Sequence, residues 1–362
     1  MEEKRKDEFG ERMKAYEAST ETHLNPALPF VCRLDGHCFS QFTRIFQKPF
    51  DLRITKAMAA TCADLMKNFN PRFIFTQSDE ITMVFPPTSL GKTGEPEKMM
   101  FDGRVEKLVS LTAGYCSARF NYHLARFANT AKSPVISAAP AAPAPATATA
   151  PLEQNSKEAA QIARALSGTA FFDSRIFNVP NMLEAANAVL WRCHDCIKNS
   201  VAMLAQAHVP HKLLVGVPRE GQLALLEERG VSWERDLPPY WKYGLLFKRM
   251  QYLLPSRNPT TGQSTLALRT RVQARSARVS FADGLADLVV AKYWNVPMAL
   301  PGEEVAPEPP MAGGLVVDAA RAALLGETFA PVLEEEFDPA KGAAPAPGTG
   351  AVPPAEGEAD AE

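Results

Sequence analysis

The stretch RFIFTQSDEITMVFPP (residues 72–87) decides the fold, because it sets a serine and two carboxylates between two runs of strand-forming apolar residues. Ser and Asp suit tight turns, since their side chains hydrogen-bond to nearby backbone groups. The stretch therefore predicts two strands joined by a turn. Burying an unpaired carboxylate is costly. Asp79 and Glu80, between strands bound for the core, must therefore have a partner or a function.

The flanking segments predict the remaining elements of a split unit. FVCRLDG (30–36) is typical of a strand ending at a turn, and TAFFDSRIFNVP (169–180) predicts another strand. Residues 51–69, with Asp51 as N-cap, and residues 103–127 predict helices. The order β-α-β-β-α-β is that of a ferredoxin-like fold. We therefore expect an α/β (α+β) palm-type domain with added helices.

This order brings Asp35 and Asp79 to one end of a sheet, because the first strand and the central hairpin are neighbours in such a unit. Carboxylates are the oxygen ligands that Mg²⁺ takes, and paired metals stabilise the attacking and leaving oxygens of nucleotidyl transfer. Each motif alone, DG or SDE, is more often an ordinary turn, by about five to one. Their joint placement favours a metal site.

The composition restricts the class of protein. Hydrophobic residues make up 46% of the 362, enough for a substantial core. No apolar run approaches the ~20 residues of a membrane span, and the first residues lack the apolar stretch of a signal peptide. Six cysteines in a chain of this length favour a reducing compartment. We expect a cytoplasmic or mitochondrial protein that is neither secreted nor in a membrane.

The charge is distributed unevenly. Residues 303–362 hold 13 acidic and 2 basic residues, so the preceding 302 residues carry +9 although the whole chain carries −2. A basic body suggests a polyanionic ligand such as nucleic acid; an evenly spread excess that serves solubility is the alternative. We predict a catalytic domain at 1–132 and 157–250, a disordered Ala/Pro-rich insertion at 133–156, a basic extension at 251–302 and a largely disordered acidic tail at 303–362.

An ordered set of motifs resembles a known family. The set is similar to the histidine-tRNA guanylyltransferases, and closest to their guanylyltransferase-like branch, the 3′-to-5′ RNA polymerases. The resemblance spans residues 8–250, interrupted by the insertion. The motifs that carry it are, in chain order, VCRLDGHCFSQFTR, KPFD, TQSDEITMVF, GRVEKLVSL, FFDSRIFNVPN, WRCHDCIKNS and YWKYGLLFKR.

The resemblance implies a reaction and its participants. A nucleoside triphosphate, GTP or ATP, activates the 5′ end of a tRNA, and the 3′-hydroxyl of an incoming nucleotide then attacks the activated phosphate. It also implies two Mg²⁺ ions per active site, tRNA and nucleoside triphosphates as partners, and a homotetramer. For this branch the expected activity is template-dependent repair or maturation of tRNA 5′ ends.

The resemblance also assigns roles to residues. Asp35 and Asp79 would hold Mg²⁺ with the Gly36 carbonyl, and Glu80 would be a second acid, either as a ligand or as support. The nucleotide-binding candidates are Asp35, Gly36, His37, Cys38, Phe39, Ser40, Lys48, Ser78, Asp79, Arg104 and Lys107. Arg104 and Lys107 match triphosphate-binding positions, although a solvated helix face is the other interpretation. The candidates for contact with RNA or a second nucleotide are Arg192, Asp195, Lys198, Asn199 and Lys242.

Departures from the family pattern favour the like-protein branch. The guanylyltransferases have HINN where this chain has IKNS (197–200), and DGR where it has DGH. The alternatives are a histidine-tRNA guanylyltransferase that adds a 5′ guanosine, a nucleotide cyclase of the same fold class, and a non-catalytic RNA-binding protein. Intact Asp35 and Asp79 argue against the last. A basic segment that includes Arg278 follows the resembling region and has the charge to contact phosphates or to be a solvated segment.

Overall fold

The computed structural model describes residues 2–298 except 92, 93, 95, 129–149, 258, 259, 261 and 283. The strands are β1 (Phe30–Gly36), β2 (Phe73–Gln77), β3 (Glu80–Phe85), β4 (Phe172–Asn178), β5 (Leu245–Arg257), β6 (Ser264–Arg275) and β7 (Tyr293–Met298). The helices are α1 (Glu2–Ala18), α2 (Phe39–Phe42), α3 (Leu52–Phe69), α4 (Val105–Phe127), α5 (Ala150–Leu166), α6 (Met182–His208), α7 (Arg219–Glu227), α8 (Trp233–Asp236), α9 (Pro239–Lys242) and α10 (Leu285–Val290). Short 3₁₀ turns cover Thr43–Ile45, Met100–Gly103 and His211–Leu213.

The sheet has the strand order of a ferredoxin-like unit. Its order is β4-β1-β3-β2, continued by β5 and β6, and these neighbours are all antiparallel, while β7 pairs in parallel with β5. The predicted palm-type fold is confirmed. The predicted hairpin is present, with Ser78 and Asp79 as its turn between β2 and β3.

Helices α3 and α4 cover one face of this sheet. Side chains at helical spacing along α3, such as Met58 and Leu65, enter one hydrophobic core with Leu34 and Met83 of the sheet. Asp51 caps α3 as expected, because its carboxylate accepts a hydrogen bond from the Arg53 backbone N–H. The alternation of residues along β1 and β3 sends every second side chain into this core.

Helix α6 covers the opposite face and reaches past the sheet. Its N-terminal half packs with α10 on Val31, Phe73 and Val84 of the sheet. Its C-terminal half forms a third core with α7, α8 and α9, which includes Trp233 and Trp241. One helix therefore connects the sheet to this small helical subdomain.

The sheet continues beyond the predicted end of the catalytic domain. The boundary placed at residue 250 falls inside β5, whose hairpin with β6 extends the sheet. The expected insertion lies largely outside the described residues, but its end, from Ala150 onward, forms the start of α5. The expected tail lies wholly outside them. No helix in the described part of the chain is long and apolar enough to cross a membrane.

Candidate active site

The hairpin turn and the end of β1 meet at one end of the sheet. Asp35 pairs with Glu80 on one side and with Asp173 on the other, so three acidic residues form one row across β3, β1 and β4. The Gly36 N–H donates to the Asp79 carbonyl oxygen at 3.2 Å, which ties the turn to β1. Ser78 adopts a left-handed conformation with φ of +48°, which turns the chain between the two strands.

Gly36 leaves room for the side chains around it. A Cβ at this position would lie 2.4 Å from Cδ2 of Phe39 and 2.9 Å from Oδ2 of Asp79. Both distances are below van der Waals contact, so a larger residue would displace the Asp79 carboxylate. The glycine therefore sets how closely the β1 backbone approaches this acid.

Asp35 and Asp79 are acidic side chains that no described residue neutralises. Burial raises the pKa of Asp79, and a hydrogen bond from Ser78 only partly opposes this, while the charge of Asp35 raises it further. No cationic side chain in the described chain forms an ion pair with either carboxylate. Two unpaired carboxylates of this kind suit a divalent cation. Among the described residues no three His, Cys, Asp or Glu side chains are grouped so that they could hold a metal ion together.

Glu80 has a different electrostatic environment. Its Oε1 accepts a hydrogen bond from Nε of Arg192 at 2.5 Å, and Nη2 of the same guanidinium donates to Oδ2 of Asp195 at 3.0 Å. The amide of Asn199 donates to this Asp195 oxygen at 2.9 Å. Burial raises the pKa of Glu80, and the contact with Arg192 opposes the rise. Three of the predicted α6 residues, Arg192, Asp195 and Asn199, thus form a polar chain that begins at Glu80.

A cavity of about 370 Å³ opens beside Asp79. Ser78 and Asp79 line it on the hairpin side, and Asn199 lines it from α6. Phe39 and Ser40 of α2, together with Lys48, also border it. Burial lowers the pKa of Lys48. The structure therefore brings Phe39, Ser40, Lys48, Ser78, Asp79 and Asn199 around one cavity large enough for a small ligand.

The aromatic wall of this cavity did not follow from the sequence analysis. Phe50 and Trp241 stack with their ring centroids 4.9 Å apart, and Nε1 of Trp241 donates to Oγ1 of Thr55 at 2.8 Å. Both rings line the cavity. They lie in the KPFD and YWKYG motifs, so the sequence indicated the two aromatic residues but not their contact. Their 191-residue separation hid the pairing.

The other predicted nucleotide-binding residues do not line the cavity; they are Asp35, Gly36, His37, Cys38, Arg104 and Lys107. His37 stacks on the exposed Phe171 at 4.9 Å, and its Nε2 lies 3.3 Å from Sγ of Cys38. Arg104, at the N-terminus of α4, forms an ion pair with Glu21 at 3.3 Å. Lys107 lies over the ring of Phe101, 5.7 Å from its centroid.

The structure corrects the expected position of Lys242 on an RNA-facing surface. Its side chain is fully buried, because Nζ donates to the Glu234 carbonyl at 2.8 Å and lies 3.3 Å from the Glu234 carboxylate. The tyrosine and tryptophan rings around it exclude solvent. Lys198, by contrast, is exposed on α6.

Comparisons with known proteins identify the family. The model of the tRNAHis guanylyltransferase family matches residues 10–180. An uncharacterised protein of Acanthamoeba polyphaga mimivirus is 31% identical over 295 residues, which cover 80% of this chain and 91% of the relative. The chain belongs to the tRNAHis guanylyltransferase family. The family match includes Asp35 and Asp79, and it ends before α6.

Solved structures agree with this membership. A bacterial tRNAHis guanylyltransferase-like protein in complex with ATP is 25% identical and superposes with a TM-score of 0.50 over 72% of this chain and 91% of that one. A bacterial tRNAHis guanylyltransferase-like protein in complex with GTP, 23% identical, gives a TM-score of 0.52 over 78% of this chain and all of that one. This guanylyltransferase-family chain is therefore a nucleotidyltransferase with the fold of its relatives.

Proposed function

We propose that this family member adds nucleotides to the 5′ end of tRNA in the 3′-to-5′ direction, after GTP or ATP has activated that end, and chooses each base by pairing with the opposite strand. Its partners are tRNA and nucleoside triphosphates, and its assembly is a homotetramer. The observation that carries the proposal is the placement of Asp35 and Asp79 at one end of the sheet, without a cationic partner among the described residues, with Asp79 lining a cavity of about 370 Å³.

Asp35, Asp79 and the Gly36 carbonyl would hold Mg²⁺. When bound, a pair of such ions would stabilise the attacking and leaving oxygens of nucleotidyl transfer. Glu80 supports this site, because its Oε1 accepts from Arg192 and so joins β3 to α6. Arg192 thereby fixes the hairpin against α6 and keeps the row of acids in place.

The cavity has the features that a nucleoside triphosphate requires. Phe50 and Trp241 offer aromatic surface to a base. Ser40, Ser78 and Lys48 also line the cavity and bring hydrogen-bond donors to it, and the phosphates would lie beside Asp79. Arg104 and Lys107, three residues apart at the N-terminus of α4, can face one anion together, but they do not line this cavity. The ATP and GTP complexes of the bacterial relatives support this use of the cavity.

The choice of base must come from pairing or from side chains that read base edges. The metal-binding carboxylates act on phosphates and a hydroxyl, which all four nucleotides share. Of the HINN motif of the guanylyltransferases, this chain keeps only Asn199, whose amide donates to Asp195. Templated addition therefore fits this chain better than addition of guanosine alone, which is the second candidate function.

The test uses four tRNAs that lack the first 5′ nucleotide and differ only in the opposing base. Each is 5′-activated and supplied with one nucleoside triphosphate at a time. The expected result is preferential addition of the matching base on all four, since a mismatch leaves buried polar groups unpaired. Guanosine addition regardless of the opposing base would assign the chain to the guanylyltransferases. No addition by wild type, with tRNA still bound, would leave a non-catalytic RNA-binding protein.

A further inference from the structure

A second groove lies across α6 from the nucleotide cavity. Its volume is about 520 Å³. Asn199 faces the cavity, whereas its neighbour Lys198 faces the groove. Arg219 at the start of α7 and Arg278 after β6 complete its basic walls. Three segments far apart in the sequence therefore bring cations to one place that the proposed active site does not use.

The cations of the groove are not neutralised within the described chain. Lys198 and Arg278 are exposed, and neither makes an ion pair or a side-chain hydrogen bond with a described residue. The guanidinium of Arg219 lies 5.8 Å from the ring centroid of Trp233. Glu234, the single carboxylate among the described lining residues, lies 3.3 Å from the buried ammonium of Lys242. The groove is therefore positive and complementary to a polyanion.

The base of the groove is aromatic and held in place. Trp233 and Tyr243 meet edge to face, with centroids 5.9 Å apart and planes at 89°. Nε1 of Trp233 donates to Oγ of Ser200 on α6 at 3.0 Å, which fixes the indole. Tyr243 keeps part of its surface exposed. Cations that surround aromatic rings are typical of sites for unpaired nucleotides, because phosphates contact the cations and bases stack on the rings.

We propose that this groove binds a short unpaired RNA segment. Its phosphates contact Lys198, Arg219 and Arg278, and a base lies against the partly exposed ring of Tyr243, which the buried Trp233 holds edge to face. The inference rests on the proposed function, in which the substrate is a tRNA. Because α6 is about 10 Å across, RNA bound in the groove lies next to the end that enters the nucleotide cavity. An acidic peptide would bind the same cations without stacking on the rings. The test therefore compares RNA with such a peptide.

The experiment measures binding of a fluorescent uridine hexanucleotide to the full chain by anisotropy at several salt concentrations. The double variant Lys198→Ala/Arg278→Ala removes two phosphate contacts, so we expect the slope of log affinity against log salt to fall by about 1.4. Lys212→Ala, an exposed lysine outside the groove, is the matched control and should leave the slope unchanged. An abasic oligomer of the same charge should bind at least about fivefold more weakly than the hexanucleotide.

Three results would overturn the groove assignment: an unchanged slope in the double variant, equal binding of the abasic oligomer, or equally tight binding of an acidic peptide of the same charge. The assay needs no catalysis, so it separates this inference from the function. A chain that adds nucleotides while its groove variants bind RNA normally refutes the groove alone. A chain that adds none, but whose groove variants lose RNA affinity, refutes the function alone.

Discussion

Glu80 and Arg192 form a nearly buried ion pair, with Oε1 and Nε 2.5 Å apart and side-chain exposures of 9% and 11%. The pair joins the first residue of β3 to α6, 112 residues further along the chain. It neutralises one acid of the row, whereas Asp35 and Asp79 have no cationic partner among the described residues. The pair therefore separates the acid that supports the site from the acids that would bind metal.

Removal of one partner of this ion pair should destabilise the folded protein. In Arg192→Met, Glu80 becomes an unpaired buried charge, and we expect a loss of about 3–5 kcal/mol in the free energy of unfolding. The double variant Glu80→Gln/Arg192→Met should recover much of the loss, because no buried charge is then left unpaired; Asp195, which also loses Arg192, is 31% exposed and keeps the Asn199 amide. Urea unfolding of the wild type, both single variants and the double variant measures the coupling. Additive losses in the double variant would contradict the pairing.

Asp79→Asn should abolish nucleotide addition while stabilising the metal-free protein. Its pKa is raised in the folded state, so the ionised form destabilises the fold at neutral pH and the neutral amide removes that cost. A gain of about 1 kcal/mol corresponds to a melting temperature higher by about 2–4 °C in a domain of 150–250 residues.

Differential scanning fluorimetry with and without Mg²⁺ checks the Asp79 prediction. Mg²⁺ should raise the melting temperature of the wild type more than that of Asp79→Asn, because it binds the folded state. Retained activity in this variant, or an equal response to Mg²⁺, would refute the metal assignment.

Gly36→Ala should impair activity far more than stability. The new Cβ would lie 2.9 Å from Oδ2 of Asp79 and force the carboxylate aside. A displacement of about 1 Å can reduce kcat/KM about 100-fold, while overpacking costs about 1–3 kcal/mol. Gly114→Ala is the control, because its Cβ would meet nothing within 4 Å on the exposed side of α4. Equal activities of the two variants would argue against the steric role of Gly36.

Gln161 of α5 should matter for stability although it lies close to the predicted insertion. Its Oε1 accepts from Nη2 of Arg53 at 2.8 Å, and its Nε2 donates to the Ile45 carbonyl at 2.8 Å. Gln161→Leu leaves the Arg53 guanidinium and the Ile45 carbonyl without this partner, so we expect a loss of about 1–3 kcal/mol in the free energy of unfolding. Exposed Lys157 on the same helix is the control site, and Lys157→Leu should be nearly neutral in urea unfolding.

Lys248 should make stability depend on pH. Burial, and to a lesser extent the charge of Arg72, lowers its pKa to about 7. Its Nζ donates to the Leu288 carbonyl at 2.5 Å and to the Ala291 carbonyl. From pH 7 up to the ordinary lysine pKa, the unfolded chain binds more protons than the folded one, so stability rises with pH.

Comparison with Lys248→Met isolates this titration. Between pH 7 and 9 the free energy of unfolding of the wild type should gain about 1–3 kcal/mol relative to the variant. Chemical unfolding at four pH values across this range measures the difference. A difference that stays flat with pH would show that Lys248 titrates at its ordinary pKa.

The sequence by itself determined the fold and the pair of acids. Alternation in β1 and β3, helical spacing in α3 and turn residues at Ser78 and Asp79 are local patterns, and the order of elements then restricts the sheet. Register followed from the same alternation, because a slip of one residue would turn the core side chains toward the opposite face. Asp35 and Asp79 thus met at one sheet end without knowledge of distant contacts.

Only the tertiary structure decided which charges are paired and which are free. Glu80 and Arg192, Lys242 and Glu234, and the rings of Phe50 and Trp241 are joined by packing between distant segments. Local periodicity carries no information about such pairs. Whether a charged side chain such as Lys242 contacts RNA or is buried depends on which element packs over it, and that is set by the whole chain.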